Sequence, residues 1–343
     1  MSAAGLGRAL RAHVETWRPY TLWYVGLVGL GGAALIAGPH QPWRLAGAWA
    51  APTLGWLGGH YLGDYFDREL DAGSKPHRPI PSGRLSPRTA LLCGAGCFVA
   101  LAVLAIAGGW ATTVAALLGA FGIVAYSRWL KARGVAGNLI RGALGAVALL
   151  YGAAAVDRWP PAGTAVALLA LALAFWLHDT TSNLVGTLRD IDGDRAGGYA
   201  TLPVRHGAEF AVRTVLGLYG AAICAALVGG LLAGRGNRLG YLLSLLAVLA
   251  IGAFALAPLV AHRRSMPVPV ALRAHAMLVL ERVVLAAAVV GLGLGIGWQL
   301  ALAVPLVALT GWTQSRMRSQ HELGVAGSAR VVPLGQIRME EAS

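Results

Sequence analysis

Residues 164–194 read TAVALLALALAFWLHDTTSNLVGTLRDIDGD, an apolar run that leads directly into a compact group of acids. Thr164–Val185 is long enough to cross a membrane as a helix, because about 20 residues at 1.5 Å rise span the hydrocarbon core. Asp190 and Asp194 follow four positions apart, so they share one face of a helix. The stretch predicts a membrane helix that ends in a carboxylate site.

The rest of the chain repeats this apolar pattern. Of 343 residues, 57% are hydrophobic and 13% are charged, which is about half the charged share of a typical soluble domain. Ala301–Trp312 is short for a span, and it either continues the last helix or lies at the membrane interface. We predict an all-α polytopic membrane protein with about nine transmembrane helices: Thr21–Gly38, Leu45–Phe66, Thr89–Gly109, Ala111–Ser127, Asn138–Val156, Thr164–Val185, Ala211–Ala233, Leu239–Ala261 and Ala276–Trp298.

The net charge of +13 is distributed in a way that argues against nucleic-acid binding. Lysines and arginines concentrate in alternate loops, as the positive-inside rule requires of a multi-pass membrane protein. We therefore predict a cell-membrane protein whose basic, cytoplasmic face also contacts lipid headgroups. The opposite loops contain only Arg44, Arg158, Arg235 and Arg238.

The chain divides into three predicted parts. Residues 1–18 form a cytoplasmic N-terminal segment, residues 19–313 form the membrane domain, and residues 314–343 form a polar, disordered tail.

A second acid-rich stretch, GDYFDRELD at Gly63–Asp71, matches the first. The two stretches hold seven of the 15 acidic residues, and Asp67 and Asp71 repeat the spacing of Asp190 and Asp194. Both stretches follow a predicted span on the basic side, and both lead into a basic loop. This predicts an internal repeat of two helix units, with the two acid groups facing each other across a central cavity.

Carboxylates at this spacing repel one another unless a cation lies between them. Oxygen-only ligands favour Mg²⁺, which binds through a few carboxylates together with substrate phosphates. Neighbouring Lys and Arg side chains would hold the remaining phosphate oxygens. The alternative is a solvated salt-bridge surface, but two matched groups in an acid-poor chain favour a site.

Three segments resemble the marked regions of the UbiA superfamily of intramembrane prenyltransferases. GDYFDRELD followed by KPHRPIPSG (Lys75–Gly83) resembles its first aspartate-rich motif. DIDGDRAGGYATLPVRHG (Asp190–Gly207) resembles its second motif. YSRWLK (Tyr126–Lys131), with Gly137 and Asn138, resembles its third marked region.

The resemblance implies nine helices around a cavity that opens toward lipid, and two Mg²⁺ ions that hold a prenyl diphosphate. The family ionises the allylic carbon–oxygen bond and passes the cation to an acceptor. Carried onto this sequence, the metal-binding and catalytic positions are Asp67, Asp71, Asp190 and Asp194, with Asp64 as a further metal ligand and Tyr126 as a further catalytic residue. The implied diphosphate contacts are Lys75, Arg78, Lys131, Arg189 and Asn138.

Two glycines depart from the family pattern. Gly63 and Gly186 stand where the family carries polar residues, within about one turn before the first acid of each motif. They either pack against neighbouring helices or reshape the cavity floor. His178 and Asp179, deep in one predicted span, are an acceptor base, a proton shuttle or a mutually satisfied polar pair at the helix interface.

The sequence leaves three functions open. The favoured one is prenyl transfer to a lipid or aromatic acceptor. The second is a terpene synthase, in which the substrate's own double bonds attack the cation. A transporter is the third, and it is disfavoured because transporter sites lie near the bilayer midplane, whereas these acids lie at span ends.

Overall fold

The computed structural model describes residues 3–233 and 236–328, and nearly all of them are helical. A single parallel pairing joins two short strands, β1 (Arg133–Gly134) and β2 (Ala200–Thr201). The helices are α1 Ala3–Trp17, α2 Pro19–Leu35, α3 Pro42–Phe66, α4 Arg68–Ser74, α5 Pro87–Gly108, α6 Trp110–Ala125, the π-helix Tyr126–Leu130, α7 Val135–Ala155, α8 Ala162–Arg189, α9 Ile191–Ala196, α10 Leu202–Leu232, α11 Arg238–Ala261, α12 Val268–Leu294, α13 Ile296–Thr313, the π-helix Gln314–Arg318 and α14 Ser319–Ser328.

The predicted all-α polytopic membrane fold is confirmed. Within the described ranges, eight helices are long and apolar enough to cross a membrane. Two predicted spans correspond to α2 and α3, which are not among the eight but pack in the same bundle. The eight are α5, Trp110–Leu130, α7, α8, α10, α11, α12 and Ile296–Gly324.

The last predicted span has the wrong boundary. The prediction ran one helix from Ala276 to Trp298, but Gly295 has a φ of +91° and separates α12 from α13. This left-handed conformation is one that glycine adopts readily and other residues avoid. The short apolar segment Ala301–Trp312 therefore belongs to a separate helix rather than to the end of the ninth.

Close helix contacts in the bundle depend on glycine. A β-carbon at Gly152 of α7 would lie 1.7 Å from the carbonyl oxygen of Gly29 in α2. At Gly32 of α2 it would lie 1.9 Å from the carbonyl oxygen of Leu149. These two backbones touch only because neither glycine has a side chain, which is how small residues drive packing in membranes.

Helix α12 lies at the centre of the bundle, where it packs against α2, α8, α11 and α13. The outer helices present large apolar side chains outward, for example Leu92 and Ile106 of α5 and Leu117 of α6. This inside-out distribution suits a hydrocarbon surrounding and leaves the polar residues to the interior.

The two acid-rich stretches occupy equivalent places in two similar units. In the first unit a long helix, α3, is followed by the short α4 and then by α5. In the second unit α8, α9 and α10 repeat this order. The β1–β2 pairing fastens the segment after the π-helix Tyr126–Leu130 to the loop after the second acid group. The predicted repeat therefore places both acid groups on one side of the bundle.

The predicted disordered tail from residue 314 is wrong over the part that the structure describes. Residues 314–328 are helical, and Gln314, Arg318 and His321 are buried. Residues 329–343 of the predicted tail lie outside the described residues.

Candidate functional site

Both acid groups line one cavity of about 400 Å³. The wall combines the ends of α3 and α8, the loop after α4, and the π-helix Tyr126–Leu130, an element that is frequent at functional sites. The predicted site residues in the wall are Asp64, Asp67, Asp71, Lys75, Arg78, Tyr126, Lys131, Arg189, Asp190 and Asp194. The sequence therefore identified residues that the fold brings together from distant parts of the chain.

Asn138 is the exception. It is buried at 2% exposure, it does not line the cavity, and its amide donates a hydrogen bond to the Asn183 side chain at 2.8 Å. Asn183 does line the cavity. The predicted direct contact between Asn138 and diphosphate is not supported by this position, and Asn138 instead orients a neighbour that faces the cavity.

Each acid pair begins where a long helix ends. Asp67 joins α3 to α4, and Asp190 joins α8 to α9. The backbone N–H of Asp71 donates to the Asp67 carbonyl, and that of Asp194 donates to the Asp190 carbonyl, both at 2.8 Å. Both pairs are therefore held on one helical turn, as the four-residue spacing predicts.

Cations hold the first acid group. Lys131 Nζ lies 2.5 Å from Asp67 Oδ2. Arg78 reaches both carboxylate oxygens of Asp71, at 2.9 and 3.1 Å. Asp64 pairs with an arginine just before α2, Arg18, while its Oδ2 is buried without a hydrogen-bond partner among the described residues.

The second acid group is tied to the first through Asp190. Arg189 donates to Asp190 at 2.6 Å, and Lys75, from the loop of the first motif, reaches Asp190 Oδ1 at 3.2 Å. Asp194 accepts a hydrogen bond from Thr201 at 3.2 Å. The Lys75–Asp190 contact shows that the two motifs form a single charged centre.

Glu322 of α14 is the residue that the sequence analysis missed. Its carboxylate lies 3.2 Å from Lys75, 3.2 Å from Arg78 and 3.1 Å from Arg189. These are three of the four cations predicted to hold diphosphate. An acid in a polar tail without periodicity carries no signal of such a position, because only the fold brings residue 322 back to the cavity.

Charge pairing alters the acidity of several of these groups. Burial disfavours the charged form of Asp190, but Arg189 and Lys75 lower its pKa well below the usual range. Burial, together with the charge of Asp190, raises the pKa of Asp194 to about 6. Although burial opposes the charge of Lys131, Asp67 raises its pKa. Opposite charges in close contact thus dominate at Asp190 and Lys131, whereas burial dominates at Asp194.

The donor set fits a hard cation such as Mg²⁺. Across the described part of the chain, no three His, Cys, Asp or Glu side chains lie close enough together to hold a metal ion without other ligands. Mg²⁺ does not need such a cluster, since it binds through one or two carboxylates, waters and substrate phosphates. The unpartnered Oδ2 of Asp64 and the weakly partnered Asp194 leave carboxylate oxygens available.

The interior of the same cavity contains a second, smaller group of charges. Arg282 of α12 donates to Asp179 of α8 at 3.3 Å. His178 Nε2 lies 3.3 Å from Glu281 Oε2 of α12, although neither atom makes a hydrogen bond to a described residue, and neither residue lines the cavity. His178 and Asp179 are therefore not a mutually satisfied pair, because each lies against a different residue of α12.

The sequence is similar to those of one protein family. A model of the UbiA prenyltransferase family matches residues 24–267. A digeranylgeranylglyceryl phosphate synthase of Ignicoccus hospitalis is 35% identical over 255 residues, which cover 74% of this chain and 80% of that protein. A protein of the same name from Halobacterium salinarum is 36% identical over 203 residues, covering 59% of this chain and 71% of its own length.

Solved structures share the fold. A structure from work on the biosynthesis of digeranylgeranylglyceryl phosphate synthase in membranes superposes with a TM-score of 0.63 at 19% identity, and the match covers 84% of this chain and 99% of that one. A UbiA homolog from Archaeoglobus fulgidus bound to GPP and Mg²⁺ gives a TM-score of 0.59 at 14% identity, covering 89% and 99%.

Proposed function

The chain belongs to the UbiA prenyltransferase family, and we propose that it transfers a prenyl group from a prenyl diphosphate to a glyceryl-phosphate lipid, with release of diphosphate. Transfer agrees with the relatives, whose name specifies a glyceryl phosphate that carries two geranylgeranyl groups. The observation that carries the proposal is the junction of the two acid motifs through Lys75 and Asp190, at 3.2 Å, in the wall of one cavity.

The cations of this junction are suited to hold a diphosphate. Lys75, Arg78 and Arg189 already converge on one carboxylate, that of Glu322, so the three point at a common anion position. Arginine and lysine donors neutralise phosphate oxygens through charge-assisted hydrogen bonds. Lys131 and the Tyr126 hydroxyl complete the proposed contacts from the π-helix Tyr126–Leu130 and the residue after it.

We propose Mg²⁺ as the cofactor, with one ion for each acid pair. Asp67 and Asp71 would hold the first ion with Asp64, and Asp190 and Asp194 would hold the second. The A. fulgidus homolog supports this choice, since it was solved with GPP and Mg²⁺. When bound, the metal supplies positive charge that stabilises the leaving diphosphate.

The prenyl chain has an apolar place to lie. A second cavity of about 50 Å³ shares Trp56, Ile123 and Leu144 with the large one. Its wall is apolar and lies between α2, α3, α5, α6 and α7. The diphosphate would stay among the cations while the first carbons of the prenyl chain enter this space. Such a wall also keeps water away from the allylic cation.

The site is proposed to face the cytoplasm, because the basic loops lie on its side of the bundle. Cysteine introduced at Ser82 would then resist a membrane-impermeant thiol reagent in intact cells, whereas cysteine at Gly163 would react. Both positions are tested in a background without Cys93, Cys97 and Cys224, the free cysteines of the chain. Labelling at Ser82 alone would reverse the proposed orientation.

Product analysis tests the proposed reaction. Purified protein receives geranylgeranyl diphosphate and Mg²⁺, with or without geranylgeranylglyceryl phosphate, and the lipids are identified by mass spectrometry. We expect a doubly prenylated glyceryl phosphate that needs the acceptor and disappears with EDTA. Hydrocarbons or terpene alcohols formed without acceptor would instead support the terpene-synthase alternative.

A further inference from the structure

We propose that Arg141 and Arg282 form a binding site for the anionic headgroup of the acceptor, a phosphate monoester, beside the diphosphate site. The inference rests on the proposed function, since it assigns a place to the second substrate of that reaction. Both arginines line the large cavity, on α7 and α12, and neither belongs to the acid motifs or their basic loops.

The two guanidinium groups meet at one indole. Arg141 Cζ lies 3.8 Å from the centroid of the Trp56 ring, and Arg282 Cζ lies 5.8 Å from the same ring. Arg282 also lies 4.4 Å from the ring of Tyr24. Cation–π contacts hold a guanidinium in place without using its N–H donors, so these donors stay available to a ligand.

The donors are in fact available. Arg282 uses one nitrogen to contact Asp179, and its Nε is buried with no partner in the described part of the chain. Arg141 makes no hydrogen bond or ion pair to any residue in the described part of the chain, and its guanidinium contacts only aromatic rings. Arg282 is only 5% exposed, so water reaches little of its side chain and does not supply the missing hydrogen-bond partner.

The numbers of positive and negative side chains around Arg141 also favour an anion site. One carboxylate, Asp179, accompanies two guanidinium groups, which leaves one positive charge at this point of the cavity. An unpaired charge within a membrane domain is unfavourable unless something of opposite sign compensates it. A phosphate monoester supplies that charge, and its oxygens match the planar fork of an arginine.

The position suits the acceptor rather than the donor. Arg141 lies 5.9 Å from the ring of Tyr126, which is part of the proposed diphosphate site, so the two anion positions adjoin without coinciding. A glyceryl phosphate held here has its free hydroxyl a few bonds from its phosphate. That hydroxyl can then face the allylic carbon of the donor.

The bond changes are balanced in this arrangement. The carbon–oxygen bond between the allylic carbon and the diphosphate breaks, and the diphosphate leaves with the electron pair. The acceptor hydroxyl oxygen then bonds to the allylic carbon, and its proton passes to the departing diphosphate. Arg141 and Arg282 act only on the acceptor's phosphate, so they are positioning residues.

Steady-state kinetics of Arg141→Gln separates the two substrates. We expect KM for geranylgeranylglyceryl phosphate to rise about tenfold or more, the loss typical of a charge-assisted hydrogen bond, while KM for geranylgeranyl diphosphate changes less than about twofold. Arg141→Lys should recover part of the loss. The matched control is Arg128→Gln, which removes an exposed arginine of the neighbouring π-helix that does not line the cavity.

A binding measurement makes the test independent of turnover. Geranylgeranylglyceryl phosphate should raise the Tm of the wild type, whereas its dephosphorylated counterpart should not, and Arg141→Gln should lose the difference. Equal shifts in wild type and variant would overturn the inference, as would a rise in KM for the diphosphate alone. A wild type that binds the lipid but forms no adduct would contradict the proposed function instead.

Discussion

Charges are paired differently in two parts of the cavity: the mouth, formed by the two acid motifs and their basic loops, and the interior, formed by Arg141, Asp179 and Arg282. At the mouth, Lys75, Arg78, Lys131 and Arg189 each contact a carboxylate of this chain. In the interior, Asp179 pairs with Arg282, and Arg141 has no carboxylate partner among the described residues. Each of these four cations at the mouth is therefore paired before a ligand arrives, whereas one guanidinium group in the interior is not.

This difference indicates how each part meets its ligand. Under the proposed function, a diphosphate that arrives with Mg²⁺ would exchange partners at the mouth, because the carboxylates would hold the metal and the cations would hold the phosphates. Such an exchange conserves paired charges, which avoids the large cost of an isolated buried charge. The interior needs no exchange, since an anion that enters there completes a pair.

The largest expected effect comes from the acids of the mouth. Asp67→Ala and Asp190→Ala each remove a proposed metal ligand, so activity should fall to the background obtained with EDTA. Glu69→Ala is the control, because Glu69 belongs to the same motif but its side chain is 86% exposed. Transfer of labelled prenyl diphosphate measures all three. Substantial activity in either aspartate variant would contradict the exchange described above.

A smaller effect is expected from Glu322→Gln. The carboxylate of Glu322 occupies the common position of Lys75, Arg78 and Arg189, so it would compete with a diphosphate held there as proposed. The neutral amide should lower KM for the prenyl diphosphate by a factor of about three to ten, the range of one weakened ionic contact. Glu209→Gln, which removes an acid paired with Arg213 and Arg263, is the control.

The opposite result would also be informative. If Glu322→Gln raised KM and left the Tm unchanged, Glu322 would orient the cations for the substrate rather than compete with it. The mouth would then resemble a preformed site, and its contrast with the interior would weaken.

The acid motifs were predictable because their signal is local. Two pairs of aspartates at four-residue spacing, each after an apolar run, identify the mouth without knowledge of the fold. The partners of these acids were not all predictable. Glu322 returns from the C-terminal segment, and Arg141 and Arg282 lie in ordinary membrane helices where sequence alone does not show which face borders a cavity.

The errors have physical causes as well. Asn138 lies close in sequence to the predicted diphosphate contacts, but its side chain does not line the cavity and bonds instead to Asn183, which does. The ninth helix was predicted to continue past Gly295, whose φ is +91°, because the sequence is apolar on both sides of this glycine. Apolar composition indicates that a helix lies in a membrane, whereas the backbone conformation of one glycine decides where this helix ends.

An effect of intermediate size is expected at Gly63, which lines the cavity just before the first acid group. A β-carbon at Gly63 has no atom within 4 Å, and Gly63 lines the cavity, so Gly63→Asn should fold normally and place an amide beside the diphosphate. We expect a rate reduction of up to about a hundredfold, as for a reacting group displaced by about 1 Å, with a single product. Gly63→Ala controls for the added carbon.

The corresponding substitution in the second motif, at Gly186, has less space for a side chain. A β-carbon at Gly186 would lie 3.3 Å from His275 Cε1, so Gly186→Tyr also tests how far that ring yields. New hydrocarbon or alcohol products from either variant would show that the cavity folds the prenyl chain for cyclisation, and an unchanged rate would show that these glycines only pack.

A competition assay tests the central claim most directly. The protein, Mg²⁺ and labelled geranylgeranyl diphosphate are incubated with equal amounts of geranylgeranylglyceryl phosphate and its dephosphorylated counterpart, and the two adducts are quantified by mass spectrometry. The account predicts that nearly all label enters the phosphorylated acceptor, and that Arg141→Gln reduces this preference at least about tenfold. Equal labelling of both acceptors by the wild type, or a labelled product formed without either, would contradict it.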